Sequence, residues 1–114
     1  MRHLESNLQI QCVKWFRYSY PDLCLFAIPN GGYRNPVTAS IMKAEGVLSG
    51  VADLMLMQKN SEYSGLWIEM KTEKGIVRPS QRAFERMAKE QGFDYVVVRG
   101  FDEFKETIEK YIQI

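Results

Sequence analysis

The strongest constraint on how this chain can fold is a pair of short apolar runs joined by a short polar connection. The first reads Gly50-Val51-Ala52-Asp53-Leu54-Met55-Leu56-Met57, and the second reads Gly65-Leu66-Trp67-Ile68-Glu69-Met70-Lys71-Thr72. Runs of this length, separated by the turn-forming stretch 58–64, are predicted to pair as the strands of a hairpin. Successive residues of a strand point to opposite faces, so Trp67, Glu69 and Lys71 share one face while Leu66, Ile68 and Met70 share the other. Laying the two strands side by side can bring Asp53 next to Glu69. Two carboxylates and an ammonium at one strand end, among apolar neighbours, are costly to bury unless they bind a cation and its substrate. The stretch therefore suggests a metal site.

The rest of the chain supplies a scaffold for that hairpin. Residues 4–18 carry Leu4, Leu8, Cys12, Trp15 and Phe16 at helical spacing, and Glu5 and Gln9 adjoin the apolar stripe one turn apart. Tyr20-Pro21-Asp22 breaks this helix, and the apolar run 23–28, bounded by Pro21 and Pro29, suits a buried strand. After the turn-rich loop 29–35, Asn35 is an expected N-cap with Pro36 at the first helical position, for a helix through Ala44 that Gly46 can end. Strands are expected over 52–57 and 66–72. Pro79 and Ser80 then introduce a helix with Phe84, Met87 and Ala88 inward, ending at Gly92. A strand at 95–99 and a last helix, with Asp102 as N-cap and Phe104, Ile108, Tyr111 and Ile112 on one face, complete the order α-β-α-β-β-α-β-α. That order implies an α/β fold, a mixed sheet covered by helices.

Composition narrows the function. At 114 residues, 46% of them apolar, the chain is long enough for one domain with a real core, 1–114. No run of about 18 apolar residues and no charged-then-apolar leader is present, so a soluble, intracellular protein is expected, with no membrane partner. Cys12 and Cys24 lie singly in apolar sequence, which reads as reduced core thiols rather than a bridge or a zinc site. A net charge of +1 excludes a protein that coats nucleic acid through bulk charge, so any nucleic-acid surface must be local. His3, beside the terminus, is the one histidine, so chemistry built on a central histidine base is poorly supplied.

At Asp53, Glu69 and Lys71 the chain resembles the PD-(D/E)XK nuclease superfamily, and within it most closely the VRR-NUC family. The likeness extends from Glu5 through Ile28-Pro29-Asn30-Gly31-Gly32, Lys43-Ala44-Glu45-Gly46, Ser49-Gly50-Val51-Ala52-Asp53-Leu54 and Ile68-Glu69-Met70-Lys71 to Ser80-Gln81. Ala52 stands where the family commonly has a proline, which shapes the turn and supplies no ligand. The resemblance implies a restriction-endonuclease-like mixed sheet flanked by helices. It implies that Asp53, Glu69 and the Met70 carbonyl bind a divalent metal, Mg2+ or Mn2+, with Glu5 completing the site directly or through water. Lys71 would contact the attacking water or the scissile phosphate, and Gln81 matches the motif glutamine found near that site. The small size resembles the stand-alone phage and bacterial members, which are associated with homodimers that cut four-way junctions in the cytoplasm of bacterial or phage-infected cells.

The chemistry suits these residues. Phosphodiester hydrolysis needs a hydroxide, charge stabilisation on a phosphoryl oxygen and relief of charge on the leaving oxygen, all of which a hard cation supplies. Magnesium and manganese prefer oxygen ligands and keep waters, so no imidazole is required. Arg34, Lys43, Lys74, Arg78, Arg82 and Arg86 are candidate phosphate contacts on branched or duplex DNA, with Arg82 and Arg86 one helical turn apart as a short basic stripe. Nothing resembles a base-reading helix, so recognition of backbone shape is expected. An acid-x-lysine triplet alone is cheap, and Glu103-Phe104-Lys105 repeats the spacing on the last helix, where it reads as a solvated face. Rival readings are a nuclease of flaps, nicks, linear duplex or RNA, a catalytically silent nucleic-acid-binding module, and a small protein-interaction domain.

Overall fold

In the computed structural model, which describes residues 4–29 and 35–114, the elements follow the order α1 (Leu4–Ser19), β1 (Leu25–Ala27), α2 (Pro36–Ala44), β2 (Leu54–Leu56), β3 (Leu66–Met70), α3 (Pro79–Glu90), β4 (Asp94–Val98) and α4 (Phe101–Gln113). The strands form one mixed sheet in the spatial order β1-β2-β3-β4, antiparallel across the first two pairings and parallel between β3 and β4. The parallel pairing requires a crossover, which α3 provides. Pairing reaches past the strand ends: Ile28 N–H donates to Asp53 O, Met57 N–H to Cys24 O and Lys71 N–H to Val98 O, each at 2.9 Å.

The even residues of β2 and β3 build the core. Leu54, Leu56, Leu66, Ile68 and Met70 are fully buried together with Cys12 and Phe16 of α1 and Phe104 and Ile108 of α4, so α1 and α4 cover one face of the sheet. The aromatic edge of Trp15 meets Tyr20, Phe101 and Phe104 and seals the seam between these helices. On the other face α3 lies over β3 and β4, where Phe84 packs edge-on against Trp67 with ring centroids 5.0 Å apart. The β2–β3 loop is tied to α4: Asn60 Nδ2 donates to Tyr111 O, and the Tyr111 hydroxyl donates to Gln58 O.

Four sequence expectations are corrected. The run 23–28 forms a short edge strand rather than a buried one, with Leu25 buried and Phe26 and Ala27 exposed: α3 covers β3 and β4 and leaves the Phe26 face of β1 open, and Ala27 is the last residue of the strand. For the same reason Cys24 is exposed, while Cys12 is buried in the core. Met87 is 47% exposed: Gln81, Phe84 and Ala88 share the stripe of α3 that meets the sheet, and Met87 falls on its flank. The N-cap of α4 is Gly100 rather than Asp102, because Glu103 Oε1 reaches back to accept the Arg99 N–H and starts the helix earlier. The expected cap Asn35 does hold α2, its Oδ1 accepting from Thr38 N–H at 2.8 Å. Among the described residues no helix is long and apolar enough to cross a membrane.

Candidate functional site

The hairpin register decides the geometry of the charged cluster. Leu54 lies opposite Ile68, which carries Asp53 alongside Glu69 at the strand ends. Asp53 Oδ2 accepts the Met70 N–H at 2.7 Å, so the backbone of β3 fixes its carboxyl. Glu69 is 2% exposed and Lys71 7%, and Lys71 Nζ stands 3.7 Å from Glu69 Oε2. The strand period thus delivers an acid and a base to one buried face, as the alternation requires.

Gln81 locks the strand to α3. Its Nε2 donates to Glu69 Oε2 at 2.8 Å and its Oε1 accepts the Arg78 N–H at 2.8 Å, so one buried amide orients the glutamate and caps the helix start. Both ends are engaged, which makes Gln81 a positioning residue. Gly50 brings the other side of the site into contact with the same helix start. It has a φ of +91°, and a Cβ there would lie 2.3 Å from Ser80 O, so no larger residue fits without moving α3.

The electrostatics are those of acids held together against their preference. Burial and then the neighbouring Asp53 push the Glu69 carboxyl up to about 8, while burial also raises Asp53 against the opposing effect of its Met70 hydrogen bond. Glu5, half-buried at the start of α1, is raised by burial and by Asp53. The Asp53 and Glu69 carboxyls face each other at hydrogen-bonding range, and Glu69 Oε1 is buried with no donor. Only a shared proton or a cation reconciles such a pair. The donor set is all hard oxygen, which fits a magnesium-type ion. Among the described residues, no three carboxylate, thiolate or imidazole side chains converge into a complete metal cage. Asp53 and Glu69 are the two carboxylates that the hairpin brings side by side, and Glu5 lines the same cleft.

These groups open onto a cleft of about 660 Å³ lined by Glu5, Lys43, Asp53, Glu69, Lys71, Arg78 and Gln81 together with residues of α2 and the turn after it. Of the basic residues singled out, Lys43 and Arg78 line the cleft. Lys74 and Arg86 are exposed outside it, and Arg34 and the Asn30-Gly31-Gly32 loop lie outside the described residues. Arg82 is paired with Glu85 at 2.8 Å, and Glu85 also takes Lys89 at 2.9 Å, so the expected Arg82–Arg86 stripe is partly neutralised within its own helix. Trp67 packs under α3 against Phe84 and Phe93 and does not wall the cleft.

Sequence reasoning missed Arg99. Its Nη1 donates to the carbonyls of Thr72, Glu73 and Gly75 at 2.9, 3.2 and 2.7 Å, clasping the turn that directly follows Lys71. The available signal was a lone arginine ending an apolar strand. Its partners are backbone carbonyls, which no side-chain motif reveals.

Comparison with known proteins bears on the fold and the family. The chain is similar to a solved structure described as a VRR_NUC domain protein, with 24% identity, a TM-score of 0.78, and coverage of 96% of this chain and 88% of that one. At that identity the likeness concerns the fold. No curated protein matches the chain. The family model of the VRR-NUC domain matches residues 4–102, which take in Glu5, Asp53, Glu69, Lys71 and Gln81. The chain therefore belongs to the VRR-NUC domain family, a nuclease family.

Proposed function

We propose that this protein is a divalent-metal-dependent, structure-selective DNA endonuclease that resolves four-way junctions as a homodimer. The observation that carries the reading is the pairing of Asp53 with a buried, donor-poor Glu69 beside Lys71, at the floor of a cleft that also holds Lys43 and Arg78. A bound magnesium or manganese ion supplies Lewis-acid stabilisation and an acidified water. Asp53, Glu69 and the Met70 carbonyl are the groups that would hold it, with Glu5 acting through water.

The chain's own residues do the rest. Lys71 brings a positive charge to the cleft, where it orients the attacking water or meets negative charge building on the phosphoryl oxygens. Gln81 holds Glu69 in the orientation that faces Asp53. Arg78 and Lys43 offer cations to flanking phosphates, which position the strand without reading its sequence. A two-fold dimer would set two such clefts against two opposed strands, the symmetry that a junction requires.

The test is cleavage of a labelled four-way junction and a matched linear duplex with magnesium or manganese, by wild type, Asp53→Ala and Lys71→Ala. Paired cuts on the junction that both variants lose, from a protein that light scattering sizes as a dimer, are the expected result. Equal cutting of both DNAs would remove the junction preference. Variants as active as wild type would sink the site.

A further inference from the structure

The part of the cleft lined by α2 and the turn after it carries an apolar patch beside Lys43. α2 contains no buried residue. In the turn that follows it, Val47 and Leu48 are 42% and 50% exposed, and with Met42 they line the same cleft as Asp53, Glu69 and Lys71. The backbone of this turn is hydrogen-bonded to the end of α2. Val47 N–H donates to Met42 O at 3.0 Å and Gly46 N–H to Lys43 O at 3.0 Å. Gly46 and Gly50, with φ of +106° and +91°, bracket the turn, and Gly50 is seated against Ser80.

A surface that meets phosphates alone needs cations and N–H donors, and the cleft has Lys43 and Arg78 for that. Two apolar side chains exposed to solvent beside them call for an apolar surface next to the held phosphate. A stacked base in continuous duplex hides its faces and shows mainly polar edges, so it gives these side chains little to bury. An unstacked base shows a broad apolar face, the surface that aliphatic wedges take when they open a base step.

We propose that Val47 and Leu48 form an apolar wedge that receives the face of an unstacked base beside the phosphate in the cleft. The wedge gives the site its preference for DNA with unpaired or distorted nucleotides over continuous duplex. The occupant is the substrate itself because the apolar pair is continuous with the lining of the catalytic cleft. This inference rests on the nuclease reading of the same cleft.

The test measures binding by anisotropy, without metal, to a duplex carrying a short unpaired bubble and to its fully paired counterpart, and then cleavage of both with magnesium. Wild type should prefer the bubble by about tenfold, the factor that burying one such side chain supplies. Leu48→Ser should lose that preference while its affinity for paired duplex stays within about twofold, and Leu48→Met should keep it. Val37→Ser, on α2 at 70% exposure but outside the cleft, is the control and should match wild type.

Equal binding of both DNAs by wild type would overturn the wedge, as would a parallel loss on both DNAs in Leu48→Ser. So would a loss in Leu48→Ser that light scattering traces to a broken dimer, since a second copy would then be what covers the patch. Bubble preference in a protein that with magnesium cuts neither these duplexes nor a four-way junction would refute the nuclease reading and leave the wedge standing, whereas cleavage without preference would do the reverse.

Discussion

The chain contains the acid-x-lysine spacing twice, and the two copies behave in opposite ways. On β3, Glu69 and Lys71 are buried, 3.7 Å apart, and face Asp53 and Gln81. On α4, Glu103 is exposed and bonds the Arg99 N–H, while Lys105 Nζ leans over the rings of Trp15 and Phe101 at 5.7 and 5.8 Å. A strand turns successive side chains to opposite faces, so residues two apart meet. A helix turns them roughly 200° over two residues, so the same pair diverges. The motif is chemistry only where the backbone period matches its spacing.

The largest effect expected from breaking this contrast is on cleavage. Glu69→Ala removes one of the two carboxylates proposed to hold the metal and should lower DNA hydrolysis by about 10³-fold, of the order seen when one group that stabilises a transition state is deleted. Glu103→Ala should leave the rate within about twofold, because Glu103 bonds the Arg99 N–H at the start of α4 and does not line the cleft. Steady-state cleavage of one labelled DNA by both variants reads this directly. Comparable losses in the two would mean that spacing rather than context carries the activity.

A second difference concerns pH. Glu69 keeps its proton to about 8 in the folded protein against an ordinary value of 4.5. The native state therefore binds more protons than the unfolded state across that window, and metal-free stability should be greatest below the window and fall as pH rises through it. Glu69→Gln should flatten that slope and raise metal-free stability at pH 8, whereas Glu103→Gln should leave the slope as it is. Added magnesium should restore wild-type stability at pH 8 and leave Glu69→Gln nearly unchanged, since ligand binding to the native state stabilises it. Denaturant melts at pH 5, 6.5 and 8, with and without metal, give all three outcomes. A wild-type slope of the opposite sign would show that Glu69 does not hold a proton in the folded state.

How much of this could be read from the amino-acid string depends on how local each cause is. The element order was legible because the punctuation is local: Pro21, Asn35-Pro36, Gly46, Pro79 and Gly92 act within a few residues of themselves. The meeting of Asp53 with Glu69 was legible because a hairpin fixes its own register. The edge position of β1 was not, since an apolar run does not say which helix will lie over its second face. The Arg99 clasp and the seat of Gly50 on Ser80 join segments about 25 to 30 residues apart in sequence through backbone atoms, a distance over which no residue pattern speaks. The pairing of Arg82 with Glu85 was within reach, because the three-residue helical spacing alone predicts it.

The smallest effects should come from the helical triplet itself, and they would show what it does instead of catalysis. Glu103 accepts the Arg99 N–H at 2.6 Å, so Glu103→Ala leaves that donor to water and should cost about 1 kcal/mol, the usual worth of a helix-start cap. Lys105→Ala removes a cation from the faces of Trp15 and Phe101 and should cost about 0.5 kcal/mol, as for partly exposed pairs of this kind. The two residues contact different partners, so the double variant should lose close to the sum of the single losses. Urea midpoints for the two single variants and the double decide it. Strong non-additivity would mean that Glu103 and Lys105 sense each other after all, and that the helical copy is more than an accident of spacing.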